Sequence, residues 1–218
     1  LALFSVVAVA NDDFKASVIL GYGTNDSVYK GKEKYNIPIF ESISYKNVYL
    51  KGTEIGTKFI DTDRFDTTLF IEFLDGYSIK GSKMDVGYRT INRRKYQQAI
   101  GLKSDIGIDE ISKNLTFSPY FSVGHRGTQA GASLSYLYMP AENIIISPSI
   151  GTRYLSKKYT DYYFGIDRDE LGANITNEYN PSGAFEFKTG LYGEYYFTKH
   201  ISALAYVNMS RYSSEVRK

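Results

Sequence analysis

Residues 184–197 read Ala-Phe-Glu-Phe-Lys-Thr-Gly-Leu-Tyr-Gly-Glu-Tyr-Tyr-Phe, and apolar and polar side chains alternate along most of this stretch. Phe185 and Phe187 fall on one face, whereas Glu186 and Lys188 fall on the other. Side chains of a β-strand point alternately to opposite faces. This period of two therefore predicts a strand with one apolar face and one charged face.

The same alternation recurs along the chain. The clearest repeats span 114–123, 128–138, 144–154 and 200–211, and noisier ones span 14–22, 34–44, 47–60, 65–73 and 95–103. Together with 184–197 they predict about ten strands. Their typical length of about ten residues suits a tilted strand that crosses a bilayer. No helix is predicted with comparable regularity, although 168–178 could form a short helix inside a loop.

The connections between the predicted strands differ in length. Short turns at 140–143 and 198–200 contrast with long polar connections at 76–94 and 157–183, a combination typical of outer-membrane barrels. Aromatic residues near strand ends would form the interfacial girdles of such a barrel, namely Tyr22, Tyr35, Tyr45, Tyr96, Tyr138, Tyr154 and Phe197. The prediction is an all-β fold, an antiparallel transmembrane β-barrel of about 10 to 12 strands. A count of twelve would require one further strand that these segments merge or leave out.

A soluble lipocalin-like barrel or sandwich is the alternative fold, with its apolar face turned inward. Periodicity alone does not decide between the two folds. The charged face favours the membrane barrel, because Glu72, Arg153 and Glu194 lie among small polar residues and could pair across a narrow wet lumen. A barrel of this size leaves little free bore, which argues against a wide diffusion pore.

The first ten residues form an uncharged apolar stretch that ends in Ala8-Val9-Ala10 and is followed at once by Asn11-Asp12-Asp13. A small-x-small ending before polar residues is typical of a signal-peptidase site. We therefore assign residues 1–10 to the end of a signal peptide and residues 11–218 to a single barrel domain. The alternative is that residues 1–10 form a buried first strand.

Composition and motifs argue against several functional classes. Among 218 residues, 26 are basic and 24 acidic, and the net charge of +2 offers no field that would attract nucleic acid. The chain has no cysteine, and its two histidines, His125 and His200, lie at predicted turns. It contains no His-x-x-x-His pair, Gly-x-Ser-x-Gly elbow or P-loop. We expect no enzymatic activity, cofactor or metal site; an outer-membrane hydrolase is the weakest alternative.

One candidate recognition surface is the cluster Asp161, Tyr162, Tyr163, Phe164 and Gly165 in the second long connection. Exposed aromatic side chains beside a charge can anchor a partner at little entropic cost. The alternative is that this loop folds over the barrel mouth and packs its own aromatic residues.

A second candidate is the basic run Arg89, Arg93, Arg94 and Lys95 in the first long connection. Charge-assisted contacts with phosphates would let it bind lipopolysaccharide. The alternative is a solvated loop that binds nothing.

Three motifs resemble the MltA-interacting protein (MipA/OmpV) family. Tyr29-Lys-Gly31 with Tyr35 and Pro38 is similar to that family's Tyr-x-Gly-Ser-x-x-Tyr-x-x-x-Pro stretch, and Gly124-His-Arg-Gly127 to its Gly-rich turn. Tyr159-Thr-Asp-Tyr-Tyr-Phe-Gly-Ile166, followed by Glu170 and Tyr179-Asn-Pro-Ser-Gly183, resembles its Tyr-Tyr-Phe-Gly-Val loop and the Tyr-x-Pro-x-x-Gly after it. The resemblance covers residues 14–212.

The sequence departs from the family pattern at Lys30, where an acidic residue is common, and at Lys32, where Ser is common. Family members typically continue through an acidic Ser-Pro segment into a last strand that ends in an aromatic residue. Here Tyr212-Ser-Ser-Glu-Val-Arg-Lys218 stops before such a segment, so we expect that the C-terminal strand is missing from this sequence.

The resemblance implies a location and a function. Family members are described as Gram-negative outer-membrane scaffolds that bring a murein-degrading lytic transglycosylase together with a murein synthase during cell-wall remodelling. The expected surroundings are outer-membrane lipid and lipopolysaccharide, and the expected partners are a murein hydrolase and a murein synthase. The alternative class is a surface adhesin or a narrow small-solute channel in the same membrane, which the long polar loops would serve equally well.

Overall fold

The computed structural model describes residues 3–10, 13–21, 29 and 39–216. The predicted girdle residues Tyr22 and Tyr35 lie outside these residues, as does most of the first family-like motif.

Strands dominate the described residues. They are β1 (Leu3–Ala10), β2 (Phe14–Gly21), β3 (Ile39–Tyr45), β4 (Val48–Lys51), β5 (Glu54–Asp61), β6 (Phe65–Asp75), β7 (Gln97–Gly107), β8 (Leu115–Gly124), β9 (Gly127–Tyr136), β10 (Tyr138–Ala141), β11 (Ile144–Leu155), β12 (Ala184–Tyr196) and β13 (Ile201–Tyr212). The same described residues include one α-helix, α1 (Lys157–Phe164), and two 3-10 turns, Gly81–Lys83 and Arg168–Glu170, which lie in the long connections. None of the described helices is long and apolar enough to span a bilayer.

The strands pair antiparallel into a ring. Each strand from β1 to β9 pairs with its neighbour in sequence, and β11 to β13 do the same. The pairing of β9 with β11 and of β13 with β1 joins these two runs. The short β10 continues the course of β9 beyond Leu137 and also pairs with β11. If β9 and β10 are counted as one bent strand, the described part of the chain contributes twelve strands to the ring, which confirms the predicted all-β antiparallel fold.

The observed strands follow the predicted segments with one correction. The segment 47–60 is not one strand but two, β4 and β5, joined by a tight turn at 52–53. The apolar positions change across this turn from even numbers, Val48 and Leu50, to odd numbers, Ile55 and Phe59. The sequence prediction treated this change as an interruption within one strand. The segment 168–178 contains only the 3-10 turn Arg168–Glu170, and residues 34–38 of the segment 34–44 lie outside the described residues.

Strand β1 consists of residues that the sequence assigns to a signal peptide. It lies between β13 and β2 and is antiparallel to both. The strands β13 and β2 therefore run parallel to each other. In an antiparallel sheet, the strand that lies between them must run in the opposite direction, as β1 does. Cleavage after Ala10 stays a prediction.

The apolar face of the sheet points outward. Leu191, Val207 and Met209 are 51%, 60% and 67% exposed, whereas the inward-facing Gln129 and Glu186 are buried. A soluble barrel or sandwich would bury its apolar face instead. An exposed apolar surface of this extent is what a lipid-facing barrel requires, so the orientation of the faces decides against the lipocalin-like alternative.

The two ends of the barrel differ. The long connections 76–96 and 156–183 lie at one end, here called the loop end, where β6 and β11 finish. Short turns such as 62–64 and 197–200 lie at the opposite end, here called the turn end. The predicted girdle residues among those described are exposed near strand ends, namely Tyr45, Tyr96, Tyr138, Tyr154 and Phe197.

Candidate functional site

The loop end is covered by a compact cap, formed by residues 76–96 and 156–183. Its centre is a cluster of three buried residues, Leu155, Tyr159 and Tyr163, each at most 1% exposed. Four partly buried aromatic residues pack against this cluster, namely Tyr77, Tyr162, Phe164 and Tyr212. The cap therefore has a hydrophobic core of its own above the polar lumen.

Helix α1 forms because its aromatic residues gain burial on one face. Tyr159 and Tyr163 are four residues apart and so lie on the same side of the helix, with ring centroids 4.6 Å apart. The Thr160 hydroxyl donates to the Ser182 carbonyl at 2.7 Å and ties the helix to the chain that enters β12. Burial raises the pKa of both the Tyr159 and Tyr163 phenols above their ordinary value, so both rings stay neutral in the cap.

A buried ion pair joins the two connections that make the cap. Arg94 Nη1 lies 2.7 Å from Glu170 Oε1, and their side chains are 8% and 0% exposed. Arg94 Nη2 donates to Glu170 Oε2 at 2.9 Å and to the Gly165 carbonyl at 2.9 Å. The backbone N–H groups of Asn92 and Asp167 donate to the same carboxylate at 2.6 and 2.9 Å.

These contacts determine the ionisation state of Glu170. Burial alone would raise the pKa of its carboxyl, but the hydrogen bonds from Arg94, Asp167 and Asn92 outweigh that cost and lower the pKa below its ordinary value. The pair is therefore charged at neutral pH and fully hydrogen-bonded on the carboxylate side. One atom of the pair, Arg94 Nε, is buried without a hydrogen-bond partner.

A polar network lies directly beneath the cap and crosses the lumen. The Asp75 carboxylate accepts hydrogen bonds from Gln97 and Gln129, both at 2.7 Å. Gln129 in turn accepts one from Arg153 Nη1 at 2.8 Å. Arg153 also pairs with Glu186. The network is completed by hydrogen bonds from Arg153 to Tyr77 and between Tyr77 and Tyr212.

The predicted recognition cluster lies inside the cap. Tyr163 is 1% exposed, Gly165 is buried, and Asp161, Tyr162 and Phe164 are partly buried. This arrangement matches the alternative in which the loop folds over the barrel mouth and packs its own aromatic residues. Tyr163 presents no surface to a partner while the cap is folded.

The predicted basic run divides into two groups. Arg89, Arg93 and Lys95 are exposed at the loop end, where they can reach anionic groups. Arg94 is buried in the ion pair with Glu170, so it serves the cap and not a phosphate. Sequence reasoning missed Glu170 as its partner because the two residues are 76 positions apart.

The motifs that carry the family resemblance meet in the cap. The Tyr29 hydroxyl of the first motif donates to the Tyr163 carbonyl at 3.0 Å. The guanidinium of Arg126, in the Gly-rich turn, lies 4.3 Å from the ring centroid of Tyr162. Residue Ile166 forms a β-bridge with Tyr179. The shared motifs thus build one structural unit, although they are far apart in sequence.

The two histidines of the chain lie far from each other. His125 and His200 are exposed in turns at opposite ends of the barrel, so they cannot act together. Within residues 3–10, 13–21, 29 and 39–216, no group of three or more His, Asp or Glu side chains is arranged to hold a metal ion.

A second surface lies at the turn end and is defined here by residues 137–143 and 197–200. The two segments are neighbours, because the backbone N–H of Tyr196 donates to the Asn143 carbonyl at 2.9 Å. Leu137, Tyr138 and Met139 are 38%, 51% and 55% exposed. This turn-end surface combines apolar side chains with an exposed acidic residue, Glu142, and a basic one, Lys199.

Comparison with known proteins identifies relatives. The family described as MltA-interacting protein MipA matches residues 18–218. A 24 kDa outer membrane protein from Pasteurella multocida (strain Pm70) is 32% identical over 208 residues, which are 91% of this chain and 81% of that protein.

Proposed function

Because the chain belongs to the MltA-interacting protein MipA family and is an outer-membrane β-barrel, we propose that it is a scaffold that links a lytic transglycosylase to a murein synthase during cell-wall remodelling. In this role the barrel anchors enzymes at the membrane and performs no chemistry itself. The observation that carries the proposal is the family match, since the family's description names an interaction with MltA.

The closed loop end supports an anchoring role over a transport role. The three residues at the centre of the cap are almost completely buried, and the network around Asp75 and Arg153 crosses the lumen beneath them. A permanently open solute channel would need a continuous water path through this region. The cap therefore counts against the narrow-channel alternative in the folded state described here.

The turn-end surface is the part that we assign to partner binding. Short turns of outer-membrane barrels face the periplasm, where murein enzymes work. Exposed apolar residues such as Tyr138 and Met139, beside the charged Glu142 and Lys199, give this surface the mixed character of a protein-binding site.

At the loop end we propose contacts with lipopolysaccharide phosphates. Exposed Arg89, Arg93 and Lys95 are available for charge-assisted hydrogen bonds. Arg94 does not belong to this set, because it forms the buried ion pair with Glu170. Such contacts would hold the barrel in the membrane without requiring the cap to open.

Affinity capture tests the scaffold proposal. Tagged full-length protein is purified from detergent-solubilised envelopes, and an unrelated barrel serves as the control. We expect specific recovery of a murein hydrolase and a murein synthase. Recovery should be lost when residues 140–143 and 198–200 are replaced by Gly-Ser linkers, and it should persist after Arg89 and Arg93 are changed to Gln. Recovery of the barrel alone would contradict a stable scaffold and favour the adhesin.

A further inference from the structure

The lumen below the cap contains a cavity of about 350 Å³. This volume lies in the range of small-molecule sites, roughly 300 to 1,000 Å³. Glu72 and Asp105 line the wall formed by β6 and β7, and Lys188 lines the wall formed by β12. A second cavity of about 390 Å³ shares Tyr120, Ser133 and Lys188 with the first. Lys188 thus stands where the two cavities meet.

Most charged groups around this space have partners. Lys103 Nζ lies 2.6 Å from Glu54 Oε1, and Arg153 is paired with Glu186. Lys188 is different, because its ammonium is 3.6 Å from a Glu186 oxygen that already accepts a hydrogen bond from Arg153. Its side chain is 49% exposed. The Lys188 ammonium is therefore available to an anionic group in the lumen.

Three carboxylates, Glu72, Asp75 and Asp105, line the facing wall without a cationic partner. The Asp75 carboxylate already accepts hydrogen bonds from Gln97 and Gln129, which leaves Glu72 and Asp105. Glu72 accepts hydrogen bonds from the Thr53 hydroxyl and from the backbone N–H of Leu74. Asp105 accepts one from the Ser118 hydroxyl at 2.5 Å. Among the residues that the structure describes, neither carboxylate forms an ion pair. A charged side chain in a narrow lumen costs free energy unless water or an opposite charge contacts it.

We propose that the lumen binds a small zwitterionic solute of the amino-acid or dipeptide class. Its carboxylate contacts the Lys188 ammonium, and its ammonium group faces one carboxylate of the opposite wall, Glu72 or Asp105. The strand register separates these two by six residues, roughly 20 Å along the strands, so one ammonium group contacts only one of them. Because these groups line opposite walls of one cavity, a ligand with separated charges satisfies both walls, whereas a simple anion satisfies only one. The cap closes the loop end, so the solute enters from the turn end. This site is independent of the scaffold role.

Isothermal titration of the detergent-solubilised full-length protein with L-alanyl-L-alanine tests the site. We expect saturable binding, and we expect Lys188→Met to weaken it about tenfold or more, the scale of one lost ion pair. Lys188→Arg should retain most of the affinity. Lys80→Met serves as the matched control, since Lys80 is an exposed lysine in the cap connection, and it should bind like the unmodified protein.

Dipeptides with blocked termini test the contacts with each wall of the cavity separately. N-acetyl-alanyl-alanine lacks the ammonium group, alanyl-alanine amide lacks the carboxylate, and the doubly blocked peptide lacks both. We expect each blocked form to bind more weakly than the zwitterion. The proposal is overturned if the zwitterion shows no saturable binding, if the doubly blocked peptide binds equally well, or if Lys188→Met leaves the affinity unchanged. Equal binding of the N-acetyl form would overturn the role of Glu72 and Asp105.

Discussion

Arg94 and Glu170 form a two-pronged ion pair, with Nη1 to Oε1 at 2.7 Å and Nη2 to Oε2 at 2.9 Å, that joins the two long connections of the cap. The pair is buried, and removing one partner leaves the other charge without compensation. From buried ion pairs in general, we expect Arg94→Met to destabilise the cap by about 3–5 kcal/mol.

The readout for this change is amide hydrogen exchange in α1, because the cap can open while the barrel stays folded. Protection of residues 157–164 should fall sharply, whereas protection of β12 should change little. The double variant Arg94→Met/Glu170→Leu leaves no unpaired charge and should recover part of the loss. Unchanged exchange in Arg94→Met would show that the pair does not hold the cap.

Acidification should loosen the same cap. The folded-state pKa of Glu170 is lowered from its ordinary value of 4.5. The ion pair therefore contributes its full stability above about pH 4.5, and the contribution is lost as the pH falls through the lower folded-state pKa. Near-ultraviolet circular dichroism of the cap tyrosines, measured from pH 7 to pH 2, should report the transition. Glu170→Gln should remove this acid-dependent step, and an identical step in that variant would assign it to another group.

Helix α1 approaches the barrel rim closely at Gly127. This residue has a φ of +131°, and a Cβ added there would lie 2.5 Å from the backbone nitrogen of Tyr159. We expect Gly127→Ala to destabilise the protein by about 1–3 kcal/mol, because strain and close contact act together. Gly193→Ala is the matched control, since a Cβ at Gly193 meets no atom within 4 Å. Equal midpoints of denaturant unfolding for the two variants would contradict this interpretation.

Neighbouring residues of β13 distinguish the lipid face from the lumen. Val207 points outward and is 60% exposed, while Asn208 lines a lumen cavity. In liposomes, Val207→Arg should lower the free energy of unfolding by about 2–4 kcal/mol, as expected for a cationic side chain near the middle of a bilayer. Asn208→Arg should cost clearly less, because its charge can reach water. A larger loss for Asn208→Arg would mean that the faces are reversed.

The strands were predictable because their signal is local. In β12 the alternation of Phe185 and Phe187 with Glu186 and Lys188 can be read directly from neighbouring residues. The turn between β4 and β5 escaped prediction, although the apolar positions change there from Val48 and Leu50 to Ile55 and Phe59, because this change was assigned to one irregular strand. Periodicity also could not say which face meets lipid, which became clear only from the exposure of residues such as Met209.

The cap was not predictable in the same way. An eight-residue helix is marginal by itself, so α1 depends on burial of Tyr159 and Tyr163 against distant residues. The partners in the ion pair and in the network below it come from separate strands and loops. Asp75 and Gln129, for example, are 54 positions apart. The sequence therefore left two alternatives open for the aromatic cluster at 161–165, an exposed recognition surface or a loop packed over the barrel mouth. The burial of Tyr163 distinguishes them.

Site-specific photo-crosslinking in living cells tests the scaffold proposal most directly. A photoreactive amino acid is placed at Glu142 on the turn-end surface and, as the matched control, at Arg93 on the loop end; both residues are exposed. We expect a lytic transglycosylase to be crosslinked from position 142 and not from position 93. Crosslinks to murein enzymes from neither position, or from position 93 alone, would contradict a scaffold that binds its partners through the turn end.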